Sequence, residues 1–182
     1  LEILKPSLDS RILDLCCGQG RHSIELAERG FKNVEGLDRS HYLIQTARKT
    51  AKREELAIKF REGDARKLSA YQPDDFEIVM ILGNSFGYFE TGEEDLRVLK
   101  EVSRILMPNG KLLLDITDGG HIRKNFQSRS WEWIDRKHLV ARERSLSKDE
   151  KKLISREVIT NIEKGVIADQ FYAERLFEEA GF

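Results

Sequence analysis

The sequence has little of what would fix a special chemistry or environment. Its only cysteines, Cys16 and Cys17, are neighbours. Adjacent cysteines rarely bridge, and with no second pair they cannot frame a zinc site, so neither a disulfide nor a bound metal is expected. Their scarcity points to a reducing, cytoplasmic location. No apolar run approaches bilayer length and the sequence shows no signal-peptide pattern, so no membrane association is expected. The net charge is −1, with 31 Lys and Arg scattered among 32 Asp and Glu, which argues against a nucleic-acid face. Internal repeats and low-complexity segments are also absent.

What is present suits one domain with an insertion: 182 residues, 40% hydrophobic and 35% charged. Residues 11–17 (RILDLCC) form a short apolar run, as a strand buried on both faces requires. Ile24, Leu26 and Ala27 give a helical stripe that Gly30 can end, and 34–38 (VEGLD) reads as a second strand. Ser40 can cap a helix with the stripe Leu43, Ile44, Ala47 and Ala51. Strands follow at 57–63 and 76–82, then a helix capped by Thr91 with the stripe Leu96, Leu99, Val102 and Leu106. The turn MPNG leads into a fifth strand at 111–117. This alternation predicts an α/β fold with a mostly parallel, doubly wound sheet.

After residue 128 the pattern changes to four long strands, at 131–135, 138–146, 152–163 and 166–176, separated by turn signals. An antiparallel meander of this kind reads as an insertion. The expected organisation is a Rossmann-like core over 1–127, a β insertion over 128–176 that serves as a substrate lid, and a return toward the core at 177–182. The charges in Ala141-Arg142-Glu143-Arg144 suit cross-strand pairs on a wet face. Trp131, Trp133, Phe171 and Tyr172 suit packing between insertion and sheet better than a substrate cleft.

The chemistry gathers at the carboxyl ends of the strands, where open α/β sheets bind ligands. Strand one delivers Asp14 and then Gly18-Gln19-Gly20, whose glycines let backbone approach a ligand. Strand two ends on Asp38, about 20 residues on, where an acid can hold both ribose hydroxyls. Strand three ends on Gly63-Asp64-Ala65, and strand four on Gly83-Asn84-Ser85-Phe86-Gly87-Tyr88. Asp14 lies in an apolar run and needs a specific partner, with an amide of the glycine turn as one candidate. His22 suits a surface histidine. Asp115, Asp118 and His121 suit turns and caps.

These residues together resemble the class I S-adenosylmethionine-dependent methyltransferases over roughly the first two-thirds of the chain. Asp14, Gly18 and Gly20 match the family's first motif, and Cys16 stands where its first glycine usually is. The resemblance implies the sheet order 3-2-1-4-5. It places the methionyl end of S-adenosylmethionine at Gly18 and Gly20, with Asp14 in the same motif, and the ribose at Asp38. The adenine falls at Asp64 and Ala65. LGNSFGYF (82–89) resembles the strand-four motif of glycine N-methyltransferase and the amino-sugar N-methyltransferases, which adds Leu82 to the cofactor set and Asn84 as a substrate-positioning residue. The cysteines then fill apolar space around the turn. A small-molecule acceptor with an amine nitrogen is expected, and a homodimer is one option for assembly.

Two other readings stay open: a nicotinamide-dependent oxidoreductase and a non-catalytic S-adenosylmethionine-binding module. The first should carry a third glycine near position 23, where Ser23 stands, and a pair for proton transfer, which is not evident. The sequence starts at Leu1 and stops at EEAGF, so an incomplete chain is expected, with the strands after strand five lost and strand five left as a sheet edge.

Overall fold

A computed structural model describes residues 3–178. These residues divide into two compact units, one running to residue 86 and including 90–116, the other made of residues 87–89 and those from 117 onward.

The first unit is built on a five-stranded parallel sheet. Its strands are β1 (Arg11–Leu15), β2 (Asn33–Asp38), β3 (Lys59–Glu62), β4 (Phe76–Ile81) and β5 (Leu106–Leu114), in the order β3-β2-β1-β4-β5. The central strands are apolar because both their faces are covered: Ile12, Leu13, Leu15, Val79 and Ile81 are fully buried. Ile12, Val34, Ile78 and Met80 pack with Leu26 of helix α1 (Arg21–Glu28). Cys17 and Phe60 pack with Ile44, Ala47 and Ala51 of helix α2 (His41–Arg53).

The helix ends follow their local chemistry. Gly30 adopts φ +91° after α1, and Gly30 N and Phe31 N donate to the carbonyls of Ala27 and Leu26, which closes the helix with a left-handed glycine cap. The Ser40 hydroxyl accepts from Leu43 N at the start of α2. Helix α3 (Gly92–Ile105) opens with a full capping box between Thr91 and Glu94. Its buried face is Asp95, Val98, Val102 and Ile105. This corrects the expected stripe: Leu96 is exposed, and Leu106 already belongs to β5.

The MPNG turn also differs from expectation. It lies inside β5, where Leu106 pairs with Phe76 but Lys111 pairs with Ile78, so five residues advance against two. Asn109 at φ +65° makes that excursion. Among the described residues β5 is an edge strand of this sheet.

The second unit contains helix α4 (Gly119–Lys124), which the sequence reading did not anticipate, capped by Asp118 through Gly120 N and His121 N. Its sheet is antiparallel, in the order β6 (Arg129–Trp133), β7 (His138–Leu146), β8 (Lys152–Asn161), β9 (Gly165–Arg175). β6 ends two residues earlier than expected because the Asp135 carboxylate accepts from Lys137 N and His138 N and begins the turn there. Cross-strand charge pairs form, with Arg142 between Glu132 and Glu157, but not on the wet face expected: Arg142 and Glu157 share the face of buried Val140, and their side chains are 23% and 15% exposed. One face of this sheet buries Val140, Leu153, Ser155 and Glu174. Trp131 and Phe171 lie on the other, 69% and 72% exposed, and Trp133 is exposed on the same strand as Trp131. The expectation that these three rings pack between insertion and sheet is therefore corrected. Phe177 pairs with Asp118 in an isolated parallel bridge, and residues 179–182, part of the expected return toward the core, lie outside the described residues.

Gly36 of β2 offers a clean packing test, since its φ is not positive. A side-chain carbon there would sit 2.6 Å from the Phe60 ring and 3.0 Å from the Cys17 sulfur. Gly36→Ala should cost about 1–3 kcal/mol by overpacking. Adding Phe60→Leu should recover part of that loss in denaturant unfolding. A Gly36→Ala protein as stable as the parent would contradict this packing.

Candidate functional site

The site grows from the end of β1. After Leu15 the chain turns through Cys16 (φ +61°), Gly18 (φ +56°) and Gly20 (φ +79°) before α1 begins. Gly20 has no room for a side chain: a Cβ would lie 2.6 Å from Phe60. At Gly18 the nearest atom to such a carbon is 4.0 Å away, so this part of the turn is open. Phe60, buried in β3, thus supports the turn from below. Cys16 holds a backbone conformation that suits glycine, at a cost of roughly 1–3 kcal/mol for a residue with a Cβ. Burial pushes its thiol up to about 12 and raises the Cys17 thiol as well, so both stay protonated and pack as small hydrophobes.

Asp14 is 1% exposed. Its partner is Ser23 of α1, whose hydroxyl and amide donate to the same carboxylate oxygen at 2.7 and 3.2 Å. The candidate amide of the glycine turn is not the partner. Burial raises the Asp14 pKa, and the Ser23 hydroxyl opposes that rise. Asp14 therefore anchors the first turn of α1 beneath the glycine loop.

Asp38, 9% exposed, makes three connections at the end of β2. One carboxylate oxygen accepts from Gly18 N at 2.9 Å and the other from Ser40 N at 2.8 Å. Its carbonyl accepts from Gly63 N at 3.0 Å. Each carboxylate oxygen keeps a second acceptor direction, so these bonds orient the acid without exhausting it.

Asp64 is held differently. The Arg66 amide and guanidinium both donate to it, and the guanidinium also reaches Glu94 at the start of α3. Those Arg66 hydrogen bonds keep the Asp64 carboxyl below its usual range. Ala65 is buried beside it.

Leu82 is half-buried and follows β4, and the loop after it turns through Gly83 (φ +68°) and Asn84 (φ +54°). Gly83 N donates to Asp115 at 2.9 Å, and the Ser85 hydroxyl to the Leu82 carbonyl. Asn84 is half-buried, and a left-handed backbone is itself a reason for asparagine there. Asp118 caps α4, as expected, whereas Asp115 tethers the loop after β4 through Gly83 N rather than forming a turn or cap of its own. No group of three or more His, Cys, Asp or Glu among the described residues is arranged to hold a metal.

The first unit thus brings Asp14, Gly18, Gly20 and Asp38 together at the ends of β1 and β2, with Asp64 and Ala65 after β3 and Leu82 and Asn84 after β4. The open backbone at Gly18, beside an oriented acid, fits an adenosyl ligand that carries an amino-acid end. Ser23, Phe60 and Arg66 escaped the sequence reading. Their roles are long-range contacts, and the only signal was Ser23 in place of a third glycine.

Fold and turn define a doubly wound α/β domain with a glycine turn at the carboxyl ends of its strands. Residues 12–110 match the family described as Methyltransferase domain, more than half of the chain, and the chain belongs to that family. It is 32% identical over 115 residues to the glycine/sarcosine N-methyltransferase of Aphanothece halophytica, covering 63% of this chain and 43% of that protein. It is 37% identical over 113 residues to the demethylmenaquinone methyltransferase of Lactobacillus johnsonii, covering 60% and 44%. The chain thus spans less than half the length of these relatives. Its fold is similar to that of an S-adenosylmethionine-dependent methyltransferase from Clostridium acetobutylicum, with TM-score 0.83 and 18% identity over 99% of this chain and 72% of that one.

Removing the Ser23 hydroxyl tests the anchor. Ser23→Ala should destabilise the protein by about 1–3 kcal/mol at neutral pH, since the buried carboxylate loses its best donor. The folded pKa of Asp14 is already raised, and the variant raises it further, so the penalty falls on the ionised form. It should be complete above that pKa and shrink as the pH falls through it. Urea unfolding at several pH values measures this; an equal deficit at every pH would show that Asp14 is not the cause.

Proposed function

We propose that this chain is an S-adenosylmethionine-dependent methyltransferase acting on a small molecule at an amine nitrogen. The observation that carries the cofactor reading is the Asp38 carboxylate, fixed beside the open Gly18 backbone within the segment that matches the family. Gly18 and Gly20 would hold the methionyl end, with Asp14 anchoring the helix behind them. Asp38 would hold the ribose, Asp64 and Ala65 the adenine, and Leu82 the apolar side. Bound, S-adenosylmethionine supplies a methyl group already activated by its sulfonium. The chain's own task is to place the acceptor in line and to exclude water, which can account for most of the rate acceleration.

The amine reading is supported by the likeness to a glycine/sarcosine N-methyltransferase and by the motif around Asn84. An amine must reach the methyl group neutral, and the Asn84 carbonyl is suited to orient its lone pair. The antiparallel unit is proposed as the lid that selects the acceptor. A cytoplasmic location without nucleic-acid or membrane partners fits the balanced charge, and no described helix is long and apolar enough to cross a membrane. The likeness to a demethylmenaquinone methyltransferase gives a second reading, a reduced quinone as acceptor.

The test is methyl transfer from labelled cofactor to glycine, sarcosine, a set of amino sugars and a reduced naphthoquinone. Label on an amine supports the proposal, and label on the quinone alone selects the second reading. Binding of S-adenosylhomocysteine without transfer to any acceptor would favour a binding module, and NADH binding instead would favour the oxidoreductase. With an active amine in hand, Asn84→Ala should lower turnover about tenfold or more while S-adenosylhomocysteine affinity stays within about twofold. Equal loss of both would mean that Asn84 only shapes its loop.

A further inference from the structure

At one end of the antiparallel sheet, three side chains tie two turns together. His138 opens β7 directly after the β6–β7 turn, and it pairs in register with Asn161, the last residue of β8 before the β8–β9 turn. His138 Nε2 lies 2.9 Å from Asn161 Nδ2, and its Nδ1 lies 2.8 Å from the Asp135 carboxylate. Asn161 is 6% exposed. Its Oδ1 accepts from Glu163 N and Lys164 N at 2.9 and 3.1 Å, which holds the β8–β9 turn. Asp135 holds the other turn in the same way, through Lys137 N and His138 N.

These contacts fix the protonation of the ring. Two backbone donors can meet only the oxygen of the Asn161 amide, so its nitrogen faces His138 and donates. Nε2 is therefore a bare acceptor, and the ring proton sits on Nδ1 and is donated to Asp135. The imidazole in this arrangement is neutral.

A second proton breaks the chain at one point. An imidazolium carries hydrogen on both nitrogens, so Nε2 and the Asn161 amide nitrogen become two donors 2.9 Å apart. Flipping the amide gives His138 an acceptor but turns a nitrogen toward Glu163 N and Lys164 N, so two bonds are lost for one regained. At so buried a residue, water replaces the missing oxygen poorly. Asp135 pulls the other way. The Lys137 amide and His138 keep its carboxyl below its usual range, so it is ionised wherever an imidazole titrates, and it favours the imidazolium. Arg136 on the same turn and Lys164 on the facing one are exposed cations that weaken this pull only slightly in water. The other charges nearby are paired: Lys137 with Glu163 across the turns, and Glu132 of β6 with Arg142. The start of β9, Gly165 to Ala168, is uncharged. One neighbour of the ring invites a proton, and the other cannot accept the result.

We propose that Asp135, His138 and Asn161 form a proton-operated latch in the second unit. With His138 neutral, the latch locks the β8–β9 turn to the β6–β7 turn; protonation of the ring releases the hold of Asn161 on Glu163 and Lys164. The device depends on no reading of the cofactor or the acceptor.

Nuclear magnetic resonance of the full chain tests it between about pH 8 and pH 5, where imidazoles titrate. At the upper end the His138 ring should carry its proton on Nδ1. As the ring protonates, hydrogen-exchange protection of the Glu163 and Lys164 amides should fall about tenfold or more, while mid-strand amides of β7 and β8 keep theirs. His138→Gln should make the protection of the turn independent of pH. Asn161→Asp supplies an acceptor that suits the imidazolium and both backbone amides. In that variant the ring should protonate at higher pH than in the parent, and the turn should stay protected. A neutral ring with its proton on Nε2, or protection that does not change as His138 titrates, would overturn the proposal. So would a His138→Gln or Asn161→Asp protein whose turn loses protection with pH as the parent does.

Discussion

The first unit's ligand edge depends on Asp38. Its carbonyl takes the Gly63 amide and its two carboxylate oxygens take the amides of Gly18 and Ser40. One residue thereby fastens the chain leaving β1, the start of α2 and the chain leaving β3. Charge-assisted bonds to backbone amides are among the stronger hydrogen bonds available, and here they set the positions of backbone that a ligand would touch. The acid expected to hold a ribose is the same acid that shapes the surface the ribose would meet.

Around that point the chain turns through left-handed backbone, strained only where the residue is not glycine, and rigid packing lies beneath it. Cys16, Gly18 and Gly20 on one side of the switch point, and Gly83 and Asn84 on the other, all have positive φ. Below them lie fully buried strand residues such as Leu13, Leu15, Val79 and Ile81, with Phe60 filling the space left bare by Gly20 and Gly36. Such strain persists only where surrounding structure over-determines it. Cys16 shows the cost most directly. The family resemblance expects glycine there, and the left-handed backbone explains why.

Much of this was legible in the sequence, for identifiable reasons. Buried parallel strands are continuous apolar runs, so β1 and β4 announced themselves, and turn residues marked the breaks in the antiparallel sheet. Asp38 was recognisable because it ends a strand about 20 residues beyond a glycine turn. Other features left no local trace. Asp14 finds Ser23 nine residues away, and Arg66 bridges Asp64 to Glu94 across 28 residues, so neither pairing has a periodic signature. On α3 the expected stripe shares Val102 with the buried face, but Leu96 is exposed and Val98 and Ile105 are buried, a difference that hydrophobicity alone does not signal. The exposed Trp131, Trp133 and Phe171 defeated the rule that large aromatics are buried.

The central claim is that Asp38 joins the fold of this edge to recognition of a ribose. The most direct measurement is the dissociation constant of S-adenosylhomocysteine for the parent and for Asp38→Ala. The account predicts a loss of about 1.5–3 kcal/mol, which is roughly ten- to 150-fold, since a charged acceptor and the order it imposes on Gly18 go together. An unchanged constant would contradict the account and place the ribose elsewhere.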